Sequence, residues 1–409
     1  ILRTSGTIAV AAAGLNWSST IITGSTVTVE AGNGYWINTT SNTCTITLPS
    51  SAESGDQIVL IDYARTWGTN AITIDSNGLN YQGEDDTYIV EYTTSGQSIN
   101  IVYSDATKGW VPLEDDVTAL EPVPPPTQKA IFGFGKNASN TIVSVTNLVN
   151  SSGVVATDTT GVGTPRLALA AASYGGDKAI FGYGDTGSVS SLTNLVSNSG
   201  VVASDVTGVG TARSGIAAAE YGGDKAIFGY GGGSSITNLV NSSGVVATNT
   251  TGVGTARNNL AAAGYGNDKA IFGYGNSPNT NITNLVSNVG VVGTDVTGVG
   301  TARADLAAAE YGGDKAIFAY GQGSGNKSLK NLVSNTGVVA ADVTGVGTAR
   351  AYLAATSYGG DKAIFGYGLN GGNVSMTNLV NSSGVVGSDV TGVGMARRQL
   401  TAAGYSTSA

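Results

Sequence analysis

Short runs of apolar residues alternating with polar ones, separated by glycine-rich turns, recur along most of the chain. In one stretch, residues 215–221, 225–231, 237–242 and 245–251 form four such runs. Tight turns separate them at Gly222-Gly223-Asp224 and at Ser243-Gly244. Period-two alternation over runs of this length predicts short antiparallel strands, not helices.

This four-strand pattern recurs six times between Lys129 and the C-terminus. Four short strands in a repeat of this length are typical of one blade of a β-propeller. The region opens on the second strand of a blade and closes on a first strand at 400–405. The last strand is therefore expected to complete the first blade, which predicts a six-bladed propeller closed by the C-terminal strand. The KAIF heads begin, 44 to 49 residues apart, at Lys129, Lys178, Lys225, Lys269, Lys315 and Lys362.

Alternation within the second strand predicts how neighbouring blades pack. Ala226, Phe228 and Tyr230 should share one face, while Ile227 and the glycines at 229 and 231 share the other. The rings of one blade would then fill the space left by glycines of the next.

The six copies differ almost only in two places. One is the loop between the second and third strands, and the other is the pair of residues after each repeat arginine. Both lie on one face of a propeller, because the strands of a blade alternate in direction. Such variation predicts a recognition surface on a rigid scaffold, and unconstrained drift of the loops is the alternative. The candidate ligand-binding residues are Tyr352, Asn258, Asn259, Asp305, Arg398 and Gln399, followed by Asn279, Asn326 and Asn373.

The six repeat arginines allow two interpretations. They could form a ring of positive charge that holds an anion, or they could be structural and pair with acids such as Asp205 or Asp224. In one copy Asn249 replaces the acid found at that position in the others. The arginines themselves are Arg166, Arg213, Arg257, Arg303, Arg350 and Arg397.

Composition excludes several kinds of chemistry. The 409 residues include no histidine, so catalysis that depends on histidine is excluded. Glu220 and Glu310, at equivalent positions near the turns opposite the variable loops, leave glycoside hydrolysis as a remote alternative. The net charge of −9 argues against a nucleic-acid partner. No run of apolar residues is long enough to span a membrane, so we expect no membrane insertion. We expect no enzyme activity, catalytic residue, cofactor or metal.

Residues 1–118 form a separate predicted β domain, followed by a proline-rich linker at 119–128 and the propeller at 129–409. The lone cysteine, Cys44, is expected in the core. The acidic runs at 84–86 and 114–116 are expected to be solvated, although clustered carboxylates also suit Ca²⁺. Strand patterns typical of a β-sandwich lie at 7–12, 25–31, 34–39, 44–48, 57–62, 71–74, 87–92 and 98–103.

Two family resemblances accompany these patterns. The order of an arginine, a small-residue strand, a turn and a strand ending in Gly-Tyr-Gly resembles the kelch family, which implies a propeller without implying a function. The copies depart from the kelch pattern in two ways. Gly-Tyr-Gly stands in place of the paired glycines, and the usual Tyr and Trp of strands three and four are missing. The second resemblance covers most of residues 30–112 and is to a small β domain of bacteriophage tail fibres. It is carried by Gly34-Tyr35-Trp36, Thr45–Pro49, Gly55-Asp56, Asp62-Tyr63, Asn70–Asp75 with Gly78, and Tyr103–Asp105 with Lys108–Trp110.

The fibre resemblance implies a homotrimer in a virion tail, outside the host cell. Combined with the variable loops, it predicts a phage adhesin, that is, a tail fibre or receptor-binding protein. Its expected partners are a host surface polysaccharide or lipopolysaccharide and other tail proteins. The alternatives are a purely structural or protein-docking virion component, and a capsule depolymerase.

Overall fold

The computed structural model describes residues 15–85, 87–113, 119–122 and 127–408. These residues form strands, turns and irregular segments without a helix, so the predicted all-β class is confirmed. The chain divides into two compact units, Ile1–Val123 and Pro124–Ala409. The strand predicted at 7–12, the acidic residues at 86 and 114–116 and the prolines at 124–126 lie outside the described residues.

The first unit contains two five-stranded sheets. Their orders are β1-β3-β5-β8-β9 and β10-β7-β6-β4-β2, so the chain alternates between them over its first six strands. Neighbours such as β3 and β5, or β4 and β6, therefore run parallel. The strands are β1 (Asn16–Ile22), β2 (Thr26–Thr28), β3 (Asn33–Ile37), β4 (Cys44–Thr47), β5 (Gln57–Asp62), β6 (Ile72–Asp75), β7 (Tyr88–Tyr92), β8 (Ser98–Tyr103), β9 (Trp110–Pro112) and β10 (Ala119–Pro122).

Side chains from both sheets form one core in the first unit. Ile58 and Leu60 of β5 contribute from one sheet, and Ile46 and Ile74 contribute from the other. Cys44 joins them, and burial raises the pKa of its thiol to about 11. Three strands, β1, β9 and β10, were not predicted. Residues 119–122 were predicted to be part of the linker. In the structure they form β10, which pairs antiparallel with β7 and adds an edge strand to the second sheet.

The second unit contains six three-stranded antiparallel sheets, one for each repeat. Sheet one is β13-β11-β34, and sheets two to six are β14-β15-β16, β17-β18-β19, β20-β21-β22, β23-β24-β27 and β28-β29-β32. The strands are β11 (Lys129–Gly133), β12 (Lys136–Asn137), β13 (Thr146–Val149), β14 (Ala170–Tyr174), β15 (Lys178–Gly182), β16 (Thr193–Val196), β17 (Ala217–Tyr221), β18 (Lys225–Gly229), β19 (Thr237–Val240), β20 (Ala261–Tyr265), β21 (Lys269–Gly273), β22 (Thr283–Val286), β23 (Ala307–Tyr311), β24 (Lys315–Ala319), β25 (Gln322–Gly323), β26 (Gly325–Asn326), β27 (Lys330–Val333), β28 (Ala354–Tyr358), β29 (Lys362–Gly366), β30 (Leu369–Asn370), β31 (Gly372–Asn373), β32 (Thr377–Val380), β33 (Arg397–Arg398) and β34 (Thr401–Tyr405).

Sheet one is assembled from both ends of the second unit. Strand β34, near the C-terminus, pairs with β11 along its whole length, which is the pairing that the strand count predicted. Six apolar clusters each join two consecutive sheets, and one of them joins sheet six to sheet one. Apolar packing thus passes from sheet to sheet and returns to the first.

Backbone hydrogen bonds also run from each sheet to the next. At the end of the sheets that carries the Gly-Gly-Asp turns, which we call the turn face, an amide of each sheet donates to a carbonyl of the following one. These bonds measure 2.7 to 2.9 Å and join Gly175 to Asp224, Gly222 to Asp268, Gly266 to Asp314, Gly312 to Asp361, Gly359 to Gln128 and Ser406 to Asp177.

Glycines in the second strands make room for phenylalanines of the following sheet. A Cβ added to Gly229 would lie 2.6 Å from the ring of Phe272, so rings do pack into the space left by glycines. The direction differs from the prediction, because the ring comes from the following sheet and not from the preceding one. Tyr230 differs from the prediction. Its φ of 63° turns the ring away from the face of Phe228, and it packs against Phe272, with ring centroids 5.1 Å apart.

The fourth strand predicted in each copy is reduced to isolated bridges. In sheet three these bridges join Val240 to Val246 and Thr237 to Thr250. Between them, the Asn238 side-chain amide donates to the Ala247 carbonyl at 3.0 Å. The side chain thus occupies an acceptor that a continuous strand would use, and the ladder is interrupted.

A buried arginine fastens each sheet to the one before it. The Arg213 guanidinium lies 4.5 Å from the centroid of the Tyr183 ring of sheet two. It donates to the Tyr230 carbonyl at 2.7 Å, the Thr211 carbonyl at 3.0 Å and Asn238 Oδ1 at 2.8 Å. All six repeat arginines stack in this way, at 4.3 to 4.9 Å. The ring is that of Phe134 for Arg166 and that of the tyrosine in the Gly-Tyr-Gly segment, or in Ala319-Tyr320-Gly321, for the other five.

We predict that Gly229→Val destabilises the second unit by about 1–3 kcal/mol, because the added carbons overpack the Phe272 ring. Chemical denaturation followed by fluorescence measures the loss. Ala319 occupies the equivalent position in sheet five and already carries a Cβ. Ala319→Gly is therefore the matched control, with a small expected effect. An unchanged midpoint for Gly229→Val would contradict the packing described here.

We predict that Asn249→Asp stabilises the second unit. In sheet two, Arg166 Nη1 lies 3.7 Å from Asp205 Oδ1, whereas sheet three has the neutral Asn249 at that position. A carboxylate beside Arg213 would strengthen its hydrogen bonds by about 1 kcal/mol. Asp205→Asn is the reciprocal variant and should lower the free energy of unfolding by a similar amount.

The effect of Asn249→Asp should depend on pH. Burial acts to raise the pKa of Asp205, but hydrogen bonds from Thr164 and Asn194 outweigh it and lower that pKa. A lowered carboxyl pKa stabilises the fold above the unfolded value and loses that effect as pH falls through the folded value. The gain should thus be present at pH 7 and lost in strong acid. An equal gain at both would show that charge is not its cause.

Candidate functional site

The end of the sheets opposite the turn face carries the variable loops and the residue pairs after the arginines, and we call it the variable face. The second residue of each pair occupies what we call a display position. Its backbone amide donates, at 2.8 to 2.9 Å, to the carbonyl of the display position one sheet earlier, and the six bonds return to the start. The display positions, with φ of 50° to 65°, are Ala168, Gly215, Asn259, Asp305, Tyr352 and Gln399.

Side chains at these positions differ in every copy although the backbone is the same. A left-handed backbone costs a residue with a Cβ about 1 kcal/mol or more, and glycine avoids that cost. Gly215 shows that glycine fits, yet five copies carry a side chain. Asparagine and aspartate tolerate this conformation, but Tyr352 and Gln399 are less suited to it.

The display positions surround a small axial depression of about 80 Å³. Its floor is apolar and consists of one leucine or isoleucine from each sheet, for example Leu353 of sheet six and Leu260 of sheet four. Its rim combines an aromatic ring, two amides and a carboxyl. Such a rim offers hydrogen bonds around an apolar centre.

A larger side groove of about 640 Å³ adjoins the axial depression. It crosses sheet three and is bounded by Asp185 on the sheet-two side and by the 276–279 segment on the sheet-four side. Ala168, Gly215, Asn259 and Gln399 line both spaces. The two therefore form one continuous surface.

Six of the nine predicted site residues line these spaces, and one of the six, Asn279, also connects neighbouring loops. Asn259, Asp305, Tyr352 and Gln399 surround the axial depression, and Asn258 lies in the side groove with Asn259 and Gln399. Asn258 also has a structural part, because its Oδ1 accepts the Gly233 amide at 2.7 Å.

Asn279 and the three remaining predicted residues connect neighbouring loops. Asn326 Nδ2 donates to the Leu369 carbonyl and Asn373 Nδ2 to the Lys136 carbonyl, both at 2.9 Å. Asn279, which also lines the side groove, makes the corresponding 3.5 Å contact with the Gln322 carbonyl. Arg398 donates to Asn373 Oδ1 at 2.9 Å and to Asn140 Oδ1 at 3.0 Å. Apart from Asn279, these side chains lie outside both spaces.

Asp305 is the most perturbed acid of the variable face. Burial raises the pKa of its carboxyl to about 7, and the interaction with the Tyr352 hydroxyl acts in the opposite direction. Burial also raises the pKa of Tyr352, and the nearby Asp305 adds to that shift. At neutral pH the Asp305 carboxyl is therefore protonated in part of the molecules, and it can then donate as well as accept a hydrogen bond.

The repeat arginines do not form an anion site, because all six are buried and stacked. Of the two acids proposed as their partners, Asp205 lies near Arg166, but Asp224 instead pairs with Lys225 at 2.5 Å. Burial lowers the pKa of Arg213 and of the other five.

Glu220 and Glu310 lie in a narrow channel lined by the first strands of all six sheets, at its turn-face end. Glu310 Oε2 lies 2.9 Å from where a Cβ of Gly264 would be, so that glycine leaves room for it. Burial raises the pKa of both carboxyls to about 8, and Glu220 further raises that of Glu310.

Several lining residues were not predicted. Asp185 and the Ser277-Pro278 pair belong to loops whose variability was noted, but only their position beside the shorter 232–236 loop brings them into the side groove. Ala168 and Gly215 were overlooked because their side chains are small. Comparing backbone positions, not side-chain chemistry, would have found them.

Comparison with known proteins leaves the assignment of function to this geometry. No protein-family model matches the chain, and no curated protein matches it significantly. Within the described residues, no group of three or more Cys, Asp or Glu side chains is placed to hold a metal ion. No helix in that part of the chain is long and apolar enough to cross a membrane.

We predict that the second unit loses thermal stability as pH rises from about 5 to 8. A carboxyl whose pKa is raised on folding stabilises the fold below its unfolded pKa and loses that effect as pH rises through the folded value. For Glu220 and Glu310 the window runs from 4.5 to about 8. The double variant Glu220→Gln/Glu310→Gln should remove most of this dependence.

Thermal scans at pH 5 and pH 8 measure the effect. The double variant should raise Tm at pH 8 by about 2–4 °C, the shift that 1 kcal/mol produces in a large domain. Glu53→Gln, at an exposed position of the first unit, is the control. Equal slopes for wild type and double variant would exclude the channel pair as the cause.

Proposed function

We propose that this protein is a bacteriophage virion adhesin that binds a host surface glycan through the variable face. In this proposal the second unit is a six-bladed β-propeller closed by its C-terminal strand, and the first unit is a sandwich-like tail-fibre module. The chain assembles as a homotrimer in the virion tail and acts outside the host cell.

The order of contacts between the sheets supports the propeller. Apolar clusters and backbone hydrogen bonds connect sheets one to six in sequence and connect sheet six back to sheet one. Strand β34 covers the edge of β11 that would otherwise be open. A rigid support of this kind holds binding loops in place.

The display positions are the observation that carries the glycan-binding proposal. Five side chains are kept in a backbone conformation that glycine would adopt without strain, and these side chains differ in every copy. Tyr230 and its equivalents share this conformation but keep an aromatic ring in every copy, so it is strain combined with varied side chains that points to function. Their amides, carboxyl and phenol suit sugar hydroxyls, and three such faces on one fibre would combine weak contacts into useful avidity.

A capsule depolymerase is a weaker candidate. Glu220 and Glu310 form the carboxyl pair that such chemistry would use, but the channel space beside them measures about 60 Å³. That is room for about two water molecules, at roughly 30 Å³ each, and not for a sugar ring. The space favours binding over hydrolysis.

The proposal is tested by measuring binding of the labelled full-length chain to a panel of bacterial strains, with purified surface polysaccharide as competitor. The key variant is Asn259→Gly/Asp305→Gly/Tyr352→Gly. Because glycine suits the display backbone, its free energy of unfolding should stay within about 1 kcal/mol of wild type. Cell binding should nevertheless be lost.

The matched control is Val245→Ser, at an exposed valine of the turn face. This variant should bind cells like wild type. A glycine variant that binds like wild type would overturn the assignment to the variable face. Electron microscopy of the particle separates an adhesin, with the variable face outward, from a structural or docking component that buries it.

A further inference from the structure

The side groove exists because sheet three projects less from the variable face than the other sheets do. Sheet three has the shortest variable loop, the five residues 232–236, whereas the others have seven to ten. Its post-arginine pair is Ser214-Gly215, the smallest of the six. The path from the axial depression over sheet three to the edge of the unit is therefore open.

Charge is distributed unevenly over the variable face. The described residues that line the axial depression and side groove include the carboxyls of Asp185 and Asp305 but no lysine or arginine. The partly exposed Lys136 and Lys327 belong to the variable loops of sheets one and five and line neither space, whereas Arg398, next to Gln399, is near enough to the Tyr352 hydroxyl to oppose the rise in its pKa. An acidic polymer in the side groove would thus place negative charge beside Asp185, with no lysine or arginine among the residues that line the groove to balance it.

Neutral groups for hydrogen bonding are abundant along the same path. Asn259 and Asn276 make no side-chain hydrogen bond within the described part of the chain, so both amides are free to bind a ligand. Pro278 in the side groove and Tyr352 at the axial depression add apolar surfaces. Hydroxyl-rich rings with apolar faces match this combination.

We infer that the ligand is an uncharged polysaccharide that lies along this path, with one sugar over the axial depression and the next units leaving across sheet three. The inference rests on the proposed function, and it specifies the chemical class and the direction of the bound chain. Tyr352 contacts the sugar at the axis, and Asn259 bridges the two spaces. Asn276 and Pro278 contact the units in the side groove.

The test is affinity electrophoresis of the full-length chain in gels that contain a polysaccharide. The uncharged polymers are dextran, mannan, galactan and neutral O-polysaccharide, and the acidic polymers are alginate and polygalacturonate. Ser214→Tyr blocks the path over sheet three, and Asn259→Gly removes the amide where the two spaces meet. Each should weaken binding to the retained uncharged polymer by about tenfold or more. The controls Lys136→Gln and Lys327→Gln, at positions that line neither space, should have no effect.

Salt gives an independent measurement. Retention by an uncharged polymer should be the same at low and high ionic strength, since no charge pair is screened. Retention by the acidic polymers alone, lost in Lys136→Gln or Lys327→Gln and reduced by salt, would overturn the inference and leave glycan binding intact. Unchanged retention of Ser214→Tyr, with an unaltered melting temperature, would overturn the path. No retention by any glycan, with no binding to cells, would overturn the proposed function as well.

Discussion

The stacking of a buried arginine on an aromatic ring of the preceding sheet is the interaction on which the second unit depends. Each guanidinium lies 4.3 to 4.9 Å from a ring centroid and is buried. Its charge is out of water, so removing the ring or the hydrogen-bond acceptors around it would leave that charge uncompensated. The ring reaches this place only because the tyrosine, or Phe134 in sheet one, adopts a left-handed backbone. The repeated Gly-Tyr-Gly segment and the repeated arginine are thus two halves of one contact.

That contact also determines what is free to vary. The residue at each display position is held by backbone hydrogen bonds to the display positions of both neighbouring sheets. Its side chain therefore contributes little to the fold. Evolution can change such a side chain without changing its backbone, as Gly215 and Tyr352 illustrate. The same logic explains why Asn326 and Asn373 are poorer candidates, since their amides hold adjacent loops together.

The repeat made much of the second unit predictable. Alternation placed β18 and its neighbours, and counting placed β34 beside β11, because both depend on local pattern and chain order. The predicted orientation of the Tyr230 ring was wrong. A positive φ at this tyrosine breaks the alternation of side chains between the two faces, and the residue type gives no indication of it. Asn259 and Asp305 were found because they differ between copies. The side groove was not, because it is a gap between loops of unequal length.

The assembly of sheet one from the two ends of the second unit has a consequence for folding. Strand β34 reads TAAGY, one residue different from the AAAGY of β20, so side-chain fit scarcely distinguishes the right partner of β11 from the others. Covalent connection has to make that choice. Until β34 has been synthesised, β11 presents an edge that the same strand of a second nascent chain fits equally well. Correct closure therefore requires β11 to pair with β34 of its own chain faster than with β34 of another chain. The high effective concentration within one chain favours the correct pairing, and crowding of nascent chains favours the wrong one.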